Sequence, residues 1–175
     1  FINYIHKNSS DTGYNIMVIN IPQQVNRAIE ILNGNGHSAF VVGGAVRDAI
    51  MGKEAHDWDI TTSALPEETL EAFSDFRTIE TGLQHGTVTV IVDGMPLEIT
   101  TYRIEHGYSA NRHPDKVDFT SRVEDDLSRR DFTVNAIAYS PSVGFADPFD
   151  GQSDIENKII RCVGDPDRRF GEDSL

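Results

Sequence analysis

Two aspartates, Asp57 and Asp59, are separated by one residue in the segment DWDITT. The alternating pattern predicts a strand, and residues i and i+2 of a strand face the same side, about 6.5–7 Å apart at Cα. Two neighbouring carboxylates are unfavourable unless cations lie between them. A pair of metal ions about 3.5–4 Å apart, held by such carboxylates, is known to promote phosphoryl displacement. For an isolated pair, the alternative is an exposed strand end with two solvated acids.

A glycine pair, Gly43 and Gly44, precedes these acids and lies between an apolar strand and a short helix. Glycine permits positive φ and close approach, so backbone amides at this turn can face an anion. Arg47, one turn into the helix, is placed to reach the same phosphate. A glycine pair alone usually marks only a tight turn. Followed by Arg47 and the acidic pair, it predicts a nucleoside triphosphate site with Mg²⁺ on the carboxylates.

Further candidates come from two later segments. Glu98, on the second strand of a hairpin, is a possible third catalytic carboxylate, and a surface glutamate is an equally good interpretation. In the segment SRRDFTVNA, Arg130 and Asp131 are candidate nucleotide-binding residues. The alternative is a helix C-terminus, where cations are favourable. Asn135 is either a turn residue or a ribose contact, and the sequence does not separate the two.

The elements that must position these residues follow from periodicity and turn signals. Helices are predicted over 21–32, 45–51, 65–73 and 122–130, with a helical turn at 154–158. Strands are predicted over 38–42, 57–62, 132–140 and 159–163, with a hairpin turning at Asp93-Gly94 and a loop over 104–116. This order predicts an α/β (α+β) fold. It has a mixed, mostly antiparallel sheet with helices on one side, and is not a doubly wound parallel fold.

Composition narrows the class of protein. Hydrophobic residues make up 38% of the 175 residues and charged ones 25%, typical of a globular chain. The net charge of −13, from 28 acidic and 15 basic residues, opposes nonspecific binding to nucleic acid. No apolar run predicts a membrane span, and the single Cys162 favours a cytoplasmic protein. The chain begins at Phe1 and ends with RRFGEDSL, a segment that is typical of the start of a helix. We therefore expect the chain to be a piece of a longer protein.

Taken together, these segments resemble a known family. The stretches are GGAVRD at 43–48, HDWDITTSALPEE at 56–68, ANRHPDKVDF at 110–119, RRDFTVNAIAY at 129–139 and RRFGEDSL at 168–175. They resemble the bacterial-type (class II) CCA-adding enzymes, tRNA nucleotidyltransferases whose superfamily includes bacterial poly(A) polymerases. The likeness runs from about residue 20 to the end. It implies a polymerase-β-like nucleotidyltransferase head, with residues 1–20 as an unassigned extension, 21–150 as the head, and 151–175 as its end plus the start of a neck helix.

The resemblance also implies roles. Asp57 and Asp59 would be magnesium ligands, whereas Gly44, Arg47 and Arg130 would contact the nucleotide. Glu172 and Asp173 would begin the E-D-x-x-R motif that reads the base of ATP or CTP, although the chain stops one residue before its arginine. The segment Arg112-His113-Pro114 would belong to a loop that enzymes adding the final A retain.

The function implied is Mg²⁺-dependent, template-independent transfer of CMP and AMP from CTP and ATP to the 3′ end of tRNA. The tRNA would be held mainly by regions outside this chain. One alternative is a poly(A) polymerase of the same family. The other is a catalytically silent nucleotide-sensing or interaction module, although such a module would be expected to lose one of the two aspartates. His85 and His113 have no partner at metal-ligand spacing and are interpreted as loop residues.

Overall fold

The computed structural model describes residues 19–106, 116–167 and 169. Within these residues the helices are α1 (Gln23–Gly34), α2 (Gly44–Ile50), α3 (Pro66–Ala72), α4 (Val123–Ser128) and α5 (Gly151–Asn157). The strands are β1 (Ala39–Val42), β2 (Asp59–Thr62), β3 (Arg77–Gly82), β4 (Thr87–Val92), β5 (Met95–Thr101), β6 (Arg103–His106), β7 (Lys116–Phe119), β8 (Ala138–Ser140) and β9 (Gly144–Ala146). Single 3₁₀ turns span Leu83–His85 and Thr133–Asn135. Residues 1–18 of the predicted extension over 1–20, the segment Arg112-His113-Pro114 and the pair Glu172 and Asp173 lie outside the described residues.

Seven strands form one sheet in the order β3-β4-β5-β2-β1-β8-β9, and β6 pairs with β7 in a separate two-stranded sheet. Strands β2 and β5 are parallel. The other neighbours in the large sheet are antiparallel. The prediction of a mixed, mostly antiparallel sheet is therefore confirmed, and the central strand β2 has β1 on one side and β5 on the other.

One face of the sheet packs against helices to form the main core. Along β4 the side chains alternate, with Val88, Val90 and Val92 buried and the residues between them partly exposed. Helix α1 contributes a matching stripe at helical spacing, consisting of Val25, Ala28, Ile29 and Leu32. Burial of each larger aliphatic side chain stabilises the fold by about 1.5–3 kcal/mol. This face thus fixes the sheet against its helices.

Strand β1 is covered on both faces, which explains its uninterrupted apolar run. Val41 belongs to the main core. Phe40 and Val42 instead pack in a second cluster with Tyr102 and with Leu127 of α4. An apolar run with no alternation is what a strand buried on both sides requires. Helix α4 is thereby fixed on the face of the sheet opposite the main core.

The β4–β5 hairpin turns at Asp93 and Gly94, as predicted. Asp93 has φ of 48° and Gly94 has φ of 85°. Positive φ at both central residues is the backbone signature of the two-residue turn that matches strand twist.

Three local predictions were wrong. Residues 159–163 do not form a strand: Ile160 is 74% exposed, and Cys162 makes only an isolated bridge to Phe132. The start of the segment 132–140 is a 3₁₀ turn over Thr133–Asn135, and strand pairing begins only at Ala138. The ends of the predicted loop 104–116 pair with each other as β6 and β7. In each case tertiary packing overrode a local apolar or polar pattern.

Replacing Gly151, the first residue of α5, with alanine should destabilise the chain. A Cβ at this position would meet the backbone carbonyl oxygen of Thr133 and would lie 2.7 Å from Ile137 Cγ1. Because neither atom belongs to a flexible side-chain end, we expect a loss of about 1–3 kcal/mol in the free energy of unfolding. Chemical denaturation of the two proteins measures this difference.

Gly34, the last residue of α1, provides the matched control. A Cβ there would have no neighbour within 4 Å. Gly34→Ala should leave stability unchanged or raise it by about 0.5–1 kcal/mol, because alanine is preferred to glycine in helices. Equal effects of the two substitutions would show that the α5 contact does not constrain the fold.

Candidate active site

Asp59 lies at the centre of the sheet between the glycine turn and Glu98. In the antiparallel pairing of β1 with β2, Asp59 is the partner of Val42, the residue just before Gly43. In the parallel pairing of β2 with β5, Ile60 is the partner of Ile99. One residue earlier on each strand, Asp59 and Glu98 therefore lie side by side on the face opposite the main core. The strand register alone therefore brings together the glycine turn after β1, Asp59 on β2 and Glu98 on β5.

A pocket of about 380 Å³ opens at this position. Its lining includes all three predicted carboxylates, and the complete set is His56, Asp57, Trp58, Asp59, Thr89, Met95, Pro96, Leu97 and Glu98. Asp57 and Asp59 thus open into the same space, although Asp57 precedes β2, which begins at Asp59. Glu98 shares that pocket with them, which favours the site over an isolated surface position.

The carboxylates influence one another electrostatically. Asp59 keeps contact with solvent, but it lies in a concave surface where the surrounding protein displaces much of its water. This desolvation raises the pKa of Asp59, and the negative charges of Glu98 and Asp57 raise it further, against a lowering by Arg130. The ionised form is therefore disfavoured in the protein alone. A divalent cation would relieve that cost, so the donor set fits a hard metal ion.

Oxygen ligands beyond these side chains would be needed to complete such a site. Among the described residues, no group of three or more His, Cys, Asp or Glu side chains is arranged to hold a metal ion. Mg²⁺ commonly binds through one or two carboxylates together with water and substrate phosphates. The arrangement fits a metal shared with a phosphate-bearing substrate better than a closed structural site.

Gly43 allows an arginine to approach the backbone closely. Its φ of 79° lies in the region that favours glycine. A Cβ at Gly43 would lie 3.0 Å from Nη1 of Arg130. The Gly43 amide donates to the carbonyl of Ile137 at 3.4 Å, so it is engaged within the fold. The guanidinium of Arg130 thus brings positive charge beside the turn.

Arg47 is held in place by side chains from two segments. Its Nη1 donates to Oδ1 of Asn135 at 2.6 Å, and its Nε donates to Asp48 at 2.9 Å. Asn135 in turn donates from Nδ2 to Asp131 at 3.1 Å. In these contacts Asn135 orients Arg47, and Asp131 orients Asn135. Asn135 ends the 3₁₀ turn Thr133–Asn135, as one of the two interpretations from the sequence expected, and its side chain also bridges Arg47 and Asp131.

Arg130 is supported by a residue that the sequence analysis missed. Asp126 on α4 is fully buried, and its Oδ2 lies 3.8 Å from Nη2 of Arg130. Burial lowers the pKa of Arg130, although a guanidinium remains protonated in proteins. Nε of Arg130 is buried without a hydrogen-bond partner in the described part of the chain. The only sequence signal for Asp126 is its spacing, which puts it on the same helical face as Arg129 and Arg130.

Of the two histidines interpreted as loop residues, His113 lies outside the described residues, and His85 ends the 3₁₀ turn after β3. In the part of the chain that the structure describes, no helix is long and apolar enough to cross a bilayer.

The chain is similar to known proteins over most of its length. Residues 39–161 match the poly A polymerase head domain family. The CCA-adding enzyme of Lactobacillus helveticus (strain DPC 4571) is 49% identical over 147 residues, which cover 84% of this chain and 36% of that protein. The CCA-adding enzyme of Ligilactobacillus salivarius (strain UCC118) is 47% identical over 163 residues, covering 91% and 40%. The chain thus spans well under half of the length of these relatives.

Solved structures of CCA-adding enzymes are also similar to this chain. The Bacillus stearothermophilus CCA-adding enzyme in complex with CTP superimposes with a TM-score of 0.78 at 42% identity, covering 87% of this chain and 36% of that one. A tRNA nucleotidyltransferase complexed with a primer tRNA and an incoming ATP analog gives a TM-score of 0.64 at 28% identity, covering 85% and 41%.

Proposed function

Because the chain belongs to the poly A polymerase head domain family, we propose that it is the catalytic head of a tRNA nucleotidyltransferase. The whole protein would transfer CMP and AMP from CTP and ATP to the 3′ end of tRNA without a nucleic-acid template. The observation that supports this most is the register of β2, which puts Asp59 between the arginine-lined glycine turn and Glu98. The similar CCA-adding enzymes, one of them in complex with CTP, support the choice of reaction.

In this proposal Asp57 and Asp59 hold Mg²⁺, and Glu98 contributes a third carboxylate to the same pocket. The bound metal would lower the pKa of the acceptor 3′-hydroxyl and neutralise the triphosphate while pyrophosphate leaves. The raised pKa of Asp59 fits this role, because its causes are desolvation and neighbouring carboxylates. The remaining contribution of the chain is positioning and charge neutralisation.

The two sides of Asp59 suggest where each substrate lies. On the β1 side, Arg130 offers its guanidinium group beside Gly43 and Arg47 offers its own beside Gly44, which suits a triphosphate. On the β5 side, the pocket presents Glu98 with Thr89 and Pro96. In-line displacement needs the attacking hydroxyl and the leaving pyrophosphate on opposite sides of the phosphorus. We therefore place the triphosphate on the β1 side and the acceptor end of the RNA on the β5 side.

Two parts of the proposed function rest on segments beyond this site. Base selection is assigned to Glu172 and Asp173 and to residues after them. The domain limits at residues 20 and 150 remain predictions. Firm binding of tRNA is assigned to other regions of the whole protein, because a net charge of −13 repels phosphates. With the single Cys162, the tRNA substrate favours a cytoplasmic enzyme.

The test offers the full-length protein a tRNA lacking CCA and, separately, an unstructured RNA, with each nucleotide alone and with CTP and ATP together. CCA addition predicts two CMP and one AMP per tRNA and little addition to the unstructured RNA. Long AMP tracts on either RNA would indicate the poly(A) polymerase alternative, which the name of the matching family keeps open. Nucleotide binding with no transfer to any RNA would indicate a sensing or interaction module and would overturn the proposal.

A further inference from the structure

Asp126 is a buried carboxylate with partners from three separate segments. Thr61 on β2 donates its hydroxyl to Oδ2 at 3.1 Å. The backbone N–H of Arg103, at the start of β6, donates to Oδ1 at 3.3 Å. Arg129 donates from Nε to Oδ1 at 3.0 Å. Together with the 3.8 Å approach of Arg130, these contacts surround both oxygens with donors, as a buried anion requires.

These partners link the two halves of the candidate active site. Thr61 follows Asp59 on the same strand and faces the same side of the sheet. Arg130 lies over Gly43, the turn on which the triphosphate is proposed to rest. Asp126 therefore fixes the distance between the strand of the metal-binding carboxylates and the guanidinium that would bind phosphate.

The contacts of Arg130 leave part of its guanidinium available for a ligand. Asp126 approaches Nη2, whereas Nη1 points to Gly43. Nε, although buried, has no hydrogen-bond partner in the described part of the chain. Arg129 is held more tightly than Arg130, by Asp126 and also by Glu105 at 3.0 Å. Asp126 and Glu105 thus hold Arg129 in place. Asp126 also orients Arg130, whose remaining N–H groups can donate to a ligand.

Stability alone does not account for this arrangement. A buried ion pair contributes little net free energy, because desolvation of the charges offsets their attraction. Apolar side chains of similar volume in place of the whole buried network would often be no less stable. We propose that Asp126 is a positioning residue that holds Arg130 against the triphosphate-binding turn. This inference rests on the proposed function for the identity of the ligand, and on the contacts above for the role of Asp126.

The experiment compares the full-length protein with its Asp126→Asn variant, using inorganic tripolyphosphate and CTP as probes in equilibrium binding with Mg²⁺. The asparagine retains the size of the side chain and removes its charge. We expect the Kd for both probes to rise by about 10-fold to 100-fold, because a displaced Arg130 would lose a charge-assisted hydrogen bond to phosphate. Tripolyphosphate has no base or sugar, so an equal rise for both probes places the effect at the phosphates.

A double-mutant cycle separates positioning from general loss of structure. If Asp126 acts through Arg130, then Asp126→Asn in an Arg130→Ala background should change Kd by less than about twofold, because interacting residues are not additive. Independent, additive effects in the cycle would overturn the proposal, as would an unchanged Kd in a folded Asp126→Asn protein. Thr61→Val, which removes one donor to Asp126, covers the case in which Asp126→Asn does not fold, and its Kd should rise about threefold. An unchanged Kd for Thr61→Val in that case would also contradict the proposal.

Asp154 supplies the matched control. It is another buried carboxylate, bonded to Thr133 at 2.6 Å and to Arg161 at 3.0 Å, and it does not line the pocket. Asp154→Asn should lower stability without changing either Kd. Failure of the wild-type protein to extend tRNA would overturn the proposed function, whereas the tripolyphosphate comparison would still decide the role of Asp126.

Discussion

Replacing Asp59 with alanine in the full-length protein should lower the rate of CMP and AMP transfer at least about 1000-fold, because metal-ion catalysis supplies several kcal/mol. Asp59 lies beside Glu98 in the strand register and shares the pocket with Asp57. Its removal takes away the central carboxylate of that set. The affinity for tRNA should change by less than about twofold, because we assign most of the tRNA binding to regions other than this acidic head. Single-turnover incorporation and a filter-binding titration measure the two quantities.

Asp93→Asn is the control for this substitution. Asp93 pairs with Arg27 at 2.7 Å on the hairpin turn and is not itself among the residues that line the pocket. Asparagine is chosen there because the residue has φ of 48°, a conformation that asparagine tolerates better than alanine. The control should transfer nucleotides at the wild-type rate. Substantial turnover by Asp59→Ala would rule out the metal-binding role of the carboxylate pair.

Arg130→Ala should produce the second large effect, a fall of about 10-fold to 100-fold in kcat/KM for CTP and for ATP, from the loss of charge-assisted bonds to phosphate. The guanidinium lies against Gly43, and its Nε is buried with no partner among the described residues. Both nucleotides should be affected equally, because the triphosphate is common to them. Lysine at this position should restore only part of the activity, since an ammonium lacks the planar fork of donors. Steady-state kinetics with each nucleotide test this prediction.

Arg122→Ala provides the comparison for Arg130→Ala. Arg122 is 69% exposed in its side chain and makes a 3.6 Å pair with Glu124, an interaction of little energetic value at a surface. We expect its kcat/KM to stay within about twofold of wild type. A similar loss in both variants would mean that the effect reflects overall charge and not a phosphate contact at Gly43.

The parts of the fold that the sequence predicts are those set by local chemistry. The stripe of α1, the strand that begins at Asp59 and the turn at Asp93-Gly94 depend on residues within a few positions of each other. The wrong predictions have a common physical cause. Residues 159–163 have the composition of a strand, but Arg161 is tied to the buried Asp154 and Ile160 stays exposed. Local pattern indicates which backbone conformation is favourable, whereas neighbouring strands decide whether pairing is possible.

In the candidate site, too, some residues can be predicted from local sequence and others cannot. Asp57, Asp59 and Arg47 are recognisable because their types and spacing suit one reaction. The position of Glu98 beside Asp59 depends on the parallel pairing of β2 with β5, which no local signal specifies. Contacts over long sequence separations, such as that of Asn135 with Arg47, are equally invisible before folding.

The most direct measurement of the central claim is a titration of the full-length protein with Mn²⁺ in place of Mg²⁺, followed by electron paramagnetic resonance in the presence of CTP. Wild-type protein should bind about two Mn²⁺ ions together with CTP, and Asp93→Asn should behave identically. The Asp57→Asn, Asp59→Asn double variant should lose this nucleotide-dependent binding. Unchanged Mn²⁺ stoichiometry and affinity in the double variant would contradict the assignment of these two carboxylates to the metal.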